Sequence, residues 1–122
     1  MLFNEDPNHA RFQIRSYGHG EIKINELVYT TPIVVTPEQI VTDILPSSIA
    51  ELNSTHFEAI QQLNQEIYLI GTGETQMLMP KDWMIMCAKL NLTLDVMKTQ
   101  AACRTYRVLS SEGRPVAAVL FP

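Results

Sequence analysis

Cysteine is scarce in this sequence: Cys87 and Cys103 are the only two among 122 residues. Both fall in apolar surroundings inside expected helices, so reduced thiols and no disulfide framework are the simplest reading. Positive charge is scarce as well. Nine lysines and arginines stand against thirteen acids, for a net charge of −4. A nucleic-acid partner is therefore not expected, because a phosphate backbone demands a cationic surface. No apolar run approaches the ~20 residues that cross a bilayer, so no membrane span is expected. The first residues, MLFNEDPNHARF, carry two acids and no apolar core, which fits neither a secretory signal nor a basic transit peptide and predicts a cytoplasmic protein. No His, Cys or carboxylate pair has metal-ligand spacing, and Glu66, Glu74, Asp82 and Asp95 are scattered singly. The residues thus call for no metal, no cofactor and no paired-carboxylate chemistry.

What is present is a well-patterned second half. Leu92, Leu94 and Val96 alternate with polar neighbours, as in a half-buried strand. Thr99 has the chemistry of an N-cap, and Ala102, Tyr106 and Leu109 then recur at helical spacing. Gly113 can end that helix in a left-handed conformation, and Pro115 prevents its resumption. Val116 to Phe121 is an unbroken apolar run, as expected of a strand covered on both faces. Upstream, Glu66–Ile70 reads as a strand ending in Gly71-Thr72-Gly73, followed by a helix from about Lys81 to Leu90. This β-α-β-α-β succession predicts that the strands at Glu66–Ile70 and Leu92–Val96 run parallel. The direction of the last strand stays open.

The first half is more broken. Residues 1–10 read as a loose segment, and 11–122 as a single domain. Phe12 and Ile14, then Ile22 and Ile24, then Leu27 and Tyr29 alternate between turn signals, predicting a small N-terminal antiparallel subsheet. Ile33–Val35 is a further short strand. Thr36-Pro37-Glu38-Gln39 has the form of a helix start, with a threonine cap, proline at the first position and glutamine at the capping-box position. A short helix ending before Pro46 is expected there. Ser47–Asn53 reads as a turn or loop, and Ser54 or Thr55 opens a helix carrying Phe57, Ile60 and Leu63.

If the two strands are parallel, Gly71-Thr72-Gly73 and Met97-Lys98-Thr99-Gln100 meet at the strand ends, where open α/β sheets bind ligands. A glycine bend facing a helix N-terminus suits a small carboxylate or phosphate, with Lys98 adding charge. The same bend is also explained by turn geometry alone. Gln76 stands where a dinucleotide fingerprint needs its third glycine, and no Walker lysine follows. Cys103 lies one turn into the last helix, but His9, His19 and His56 are all remote in sequence, so a packing role outweighs a nucleophilic one. Arg104, Arg107, Glu112 and Arg114 form either a solvated face or the rim of a protein-binding surface. Met77, Met79, Met84 and Met86 around Trp83 are core residues at this spacing, or an adaptable contact surface.

LIGTG followed by LDVMKTQAACRTYRVLSSEGRPVAAVL resembles DUF498, the domain-of-unknown-function family that includes mitochondrial complex I assembly factor three. SYGHGEIKINELVYTTPIVVTPEQI is similar to that family's N-terminal β region, so the likeness runs from about Phe12 to the end. Gly71, Thr72, Gly73, Met97, Thr99, Cys103, Arg104, Tyr106, Gly113 and Arg114 are among the matching positions. Gln100 stands where the family usually has Gly or Pro, and Arg107 where it usually has Asn. The resemblance implies a three-layer α/β domain with a central mixed sheet flanked by helices. It also implies a non-enzymatic, assembly-factor-like role with a protein partner, and no established catalytic residues. The expected function is accordingly an interaction module. The alternative is a binder of a small anionic metabolite at the Gly71–Gly73 and Thr99 edge. Gly71, Thr72, Gly73, Lys98, Thr99, Arg104 and Arg114 are the candidate ligand- or partner-binding residues.

Overall fold

The structure, a computed structural model, describes residues 10–122. The loose segment expected over residues 1–10, and His9 with it, lie outside the described residues save for Ala10. Two sheets organise the chain. The first is antiparallel, with β1 (Ile14–Gly18), β2 (Glu21–Ile24) and β3 (Leu27–Tyr29) in that order. His19 and Gly20 both take positive φ, at 53° and 75°, which closes the β1–β2 hairpin in two residues. Alternation buries Ile14, Ile22 and Ile24 on one face. The subsheet expected from the sequence is therefore present.

The second sheet has five strands in the order β5-β4-β8-β6-β7, comprising β4 (Ile33–Val35), β5 (Ile40–Val41), β6 (Ile67–Gly71), β7 (Leu94–Met97) and β8 (Val116–Leu120). β6 runs parallel to both β7 and β8, while β4 is antiparallel to β8 and to β5. The parallel pairing follows from the helical crossovers, α2 (Lys81–Lys89) between β6 and β7, and α3 (Thr99–Ser111) between β7 and β8. The open direction of the last strand resolves as parallel to β6. All five residues of β8 are buried, since it is central and covered on both faces.

One expected helix does not form. Thr36 does act as a local cap: its Oγ1 accepts from the amides of Glu38 at 3.2 Å and Gln39 at 3.1 Å. The backbone then closes a turn, with the Thr36 amide donating to the Gln39 carbonyl at 2.8 Å, and Ile40 and Val41 pair with Val35 and Val34 as β5. The same hydroxyl chemistry initiates turns and helices alike. Here two β-branched residues beside an unpaired strand edge tip the outcome toward a hairpin. Ser47–Asn53 contains a short 3-10 turn at Ile49–Glu51. α1 (Ser54–Gln61) is capped by Asn53, one residue before the expected Ser54 or Thr55, and the His56 ring completes a reciprocal capping box.

The five-stranded sheet divides the apolar interior in two. On one face Tyr68, Ile70, Ala117 and Val119 pack against Phe57 and Ile60 of α1 and Trp83 and Cys87 of α2. On the other, Leu69, Val116, Ala118 and Leu120 pack against Ala102, Cys103 and Tyr106 of α3 and against Ile14, Ile22 and Ile24 of the small sheet. The result is the three-layer domain with a central mixed sheet. Tyr106 ties two of its parts together, because its fully buried hydroxyl donates to the Phe12 carbonyl at 2.6 Å. Tyr106→Phe is expected to lower stability by roughly 0.5–1.5 kcal/mol. Urea unfolding checks this, and an unchanged midpoint would show that the bond contributes nothing net.

Candidate functional site

The strand ends of β6 and β7 meet α3 as the sequence pattern requires, but the junction is closed by the protein's own bonds. Thr99 is fully buried as the first residue of α3, and Lys98 occupies the N-cap without a side-chain capping bond. This corrects the expected capping role of Thr99, whose hydroxyl is otherwise engaged. Its Oγ1 donates to the Phe121 carbonyl at 2.6 Å and accepts from the Gly73 amide at 2.7 Å. The Thr99 amide donates to the Gly73 carbonyl at 3.0 Å, and the Thr72 amide to the Met97 carbonyl at 2.9 Å. Thr72 Oγ1 donates to the Thr75 carbonyl at 2.7 Å. The donors that an anion would use at Gly73 and Thr99 are thus already satisfied.

Gly71 has a steric reason to be glycine. A β-carbon there would lie 2.8 Å from both Cα and Oγ1 of Thr99. The close approach of helix to strand is what lets one threonine hydroxyl bridge the Gly73 turn and the chain after β8.

The remaining candidate residues divide between separate places. Gly73 and Lys98 line a cavity of about 200 Å³ with Tyr17, His19, Glu74 and Gln100. That lining carries one carboxylate, from Glu74, and one ammonium, from Lys98. Arg104 lines a neighbouring groove of about 250 Å³ between β1 and α3, together with Arg15, Ser16, Tyr17, Gln100 and Arg107. Arg114 lies beyond the other end of α3, against Pro37, Glu38 and Gln65. A 13-residue helix, at ~1.5 Å of rise per residue, separates it from Thr99. Arg15 and Tyr17 escape sequence reasoning, because nothing in the chain's periodicity places β1 against α3.

Cys103 lies inside this wall and is 5% exposed. Burial pushes its thiol up to about 12, only partly opposed by the Arg107 guanidinium. A thiol so held is a packing group at neutral pH. Burial also raises the Tyr106 hydroxyl. Among the described residues no group of three His, Cys, Asp or Glu side chains is placed to hold a metal ion.

The raised groups have a linkage consequence. The unfolded chain releases these protons from about pH 9–10 upward, the ordinary cysteine and tyrosine range, while the folded protein retains them. The stabilisation is complete below that range and falls as pH rises through it, by ~1.4 kcal/mol per pH unit for each fully titrating group. Denaturant midpoints between pH 8 and 11 should fall accordingly, and the slope should be shallower in Cys103→Ala. Alkylation of native Cys103 at neutral pH is expected to be far slower than in the denatured chain. For the glycine bend, Gly71→Ala is expected to cost about 1–3 kcal/mol through overpacking. Gly18→Ala, where a β-carbon meets nothing within 4 Å, serves as its control, and equal unfolding midpoints would refute the steric account.

Comparison with known proteins places this geometry in context. A curated relative described as "13 kDa major membrane protein", from Francisella tularensis subsp. holarctica (strain LVS), is 30% identical over 122 residues, covering 98% of each chain. A crystal structure from Bordetella parapertussis is similar with a TM-score of 0.82 and 30% identity, over 93% of this chain and 97% of that one. The NMR structure of XCC1710 from Xanthomonas campestris is similar with a TM-score of 0.80 and 32% identity, over 98% and 90%. Residues 14–121, β1 through the residue after β8, match the family described as "Protein of unknown function (DUF498/DUF598)", and the chain belongs to that family.

Proposed function

We propose that this protein is a non-catalytic interaction module that seats an apolar segment of a protein partner on the outer side of α2. The observation that carries this reading is an apolar groove of about 470 Å³ between the 3-10 turn and α2, lined by Ile49, Leu52, Met77, Trp83 and Met86. Outside the groove, Leu78 before α2 and Met84 and Ile85 on α2 are exposed apolar side chains, at 89%, 53% and 51% exposure. A groove that accepts one anchoring side chain, surrounded by adaptable methionines, has the form of a protein-binding hot spot. Exposed apolar surface that collects around one element marks contact sites on otherwise ordinary proteins. Lys81 and Lys89 stand at the two ends of α2, while Asp82 in its first turn lines the groove itself. Likeness to a family with an assembly-factor member points to the same class of role.

The Francisella relative is described as a membrane protein, although no helix among the described residues here is long and apolar enough to cross one. A lipid surface is therefore the competing occupant of the same face. Ile85→Glu alters an exposed position, so stability is expected to stay within about 0.5 kcal/mol. Affinity capture from the protein's own cells is expected to retain a discrete partner at high salt with wild type and to lose it with Ile85→Glu. Equal recovery by both proteins would overturn the proposal. Co-sedimentation of wild type, but not the variant, with phosphatidylglycerol vesicles would assign the face to lipid.

A further inference from the structure

On the opposite face of the central sheet from α2, the groove between β1 and α3 concentrates cationic charge on a chain whose net charge is −4. Three guanidinium groups line it, from Arg15, Arg104 and Arg107, and none of the three forms an ion pair among the described residues. Two of them are on one helix at a spacing of three, where like charges face each other and repel. Gln100, one turn earlier, lines the same groove. The third is delivered from the sheet by an irregularity. Ile14 pairs with Ile24 and Ser16 with Lys23, so Arg15 is the extra residue of a β-bulge. Such bulges re-aim a side chain out of the regular alternation, commonly beside binding sites.

Tyr17, in the wall of the groove, carries an unanswered donor. The Tyr17 hydroxyl is buried and has no hydrogen-bond partner, a state that few buried polar atoms tolerate. Tyr17 and Gln100 line both this groove and the cavity that contains Lys98, so the two adjoin at those side chains. Glu74 lines the Lys98 cavity beside Tyr17, on whose hydroxyl its charge acts. The arginine end has no carboxylate in its lining.

We infer that this groove is a binding site for the terminal phosphoryl group of a small molecule. Three planar forks match the three non-bridging oxygens of a phosphoryl group, whereas one carboxylate is satisfied by a single fork. The Tyr17 hydroxyl supplies a further donor at the junction, and the adjoining cavity leaves room for the rest of the molecule. Free anion relieves the repulsion between Arg104 and Arg107, so occupancy stabilises the folded protein.

Pyrophosphate is the probe, measured by calorimetry and by thermal unfolding at constant ionic strength. Wild type is expected to bind it and to melt at a higher temperature in its presence. Arg104→Gln and Arg107→Gln should each weaken binding by about tenfold or more. Arg114→Gln, remote from the groove, should leave it unchanged. Tyr17→Phe should weaken binding without lowering the melting temperature of the free protein, since the hydroxyl has no bond to lose. A response equal in all variants would identify bulk ionic effects and overturn the inference. So would a larger response to malonate than to pyrophosphate, which would assign the groove to carboxylates.

Discussion

One hydroxyl group holds the two ends of the parallel sheet to its crossover helix. Thr99 Oγ1 receives the Gly73 amide and gives its proton to the Phe121 carbonyl, joining the bend after β6 to the chain leaving β8 at the start of α3. The bridge exists only because Gly71 lets the helix come within contact of the strand. The position of α3 in turn determines where Cys103, Arg104, Tyr106 and Arg107 stand relative to β1. A fully buried hydroxyl that both donates and accepts has a large stake in geometry, because any displacement strands a donor or an acceptor away from water. The two arrangements at the edge of the sheet thus depend on each other: the bend is closed, and for that reason the groove beside it is well defined.

Much of this was legible from residue order. The parallel strands, the two crossover helices and the apolar final strand follow from periodicity and from the placement of Gly113 and Pro115, signals that act within a few residues. The failure at Thr36–Gln39 is equally instructive. Thr36 accepts the two amide bonds of a cap, yet Ile40 and Val41 join a strand edge, and no local pattern announces where such an edge will be. Thr99 was singled out for its hydroxyl and is indeed central, but its partners are backbone groups 22 and 26 residues away. A long-range partner cannot be inferred from spacing along one element.

The groove shows the same limit from another side. Arg104 and Arg107 read as charges on a helix, and that helix could have turned them to open solvent. Only the docking of the small sheet, through Ile14, Ile22 and Ile24, brings Arg15 and Tyr17 alongside them. Gln100 and Arg107 both line that groove. The two faces of the domain thereby differ in kind, one carrying apolar side chains around α2 and the other guanidinium groups around α3.

The placement of β8 between β4 and β6 bears on how the protein is made. During synthesis the β4–β5 hairpin and the later β6 and β7 segments leave the ribosome with no strand in common. Until Val116–Leu120 has emerged, each of them offers an unpaired edge to its surroundings. A chain without that strand holds nearly all of the described apolar residues and lacks the segment that would join them, so loss of β8 leaves two separate exposed edges in place of one continuous sheet.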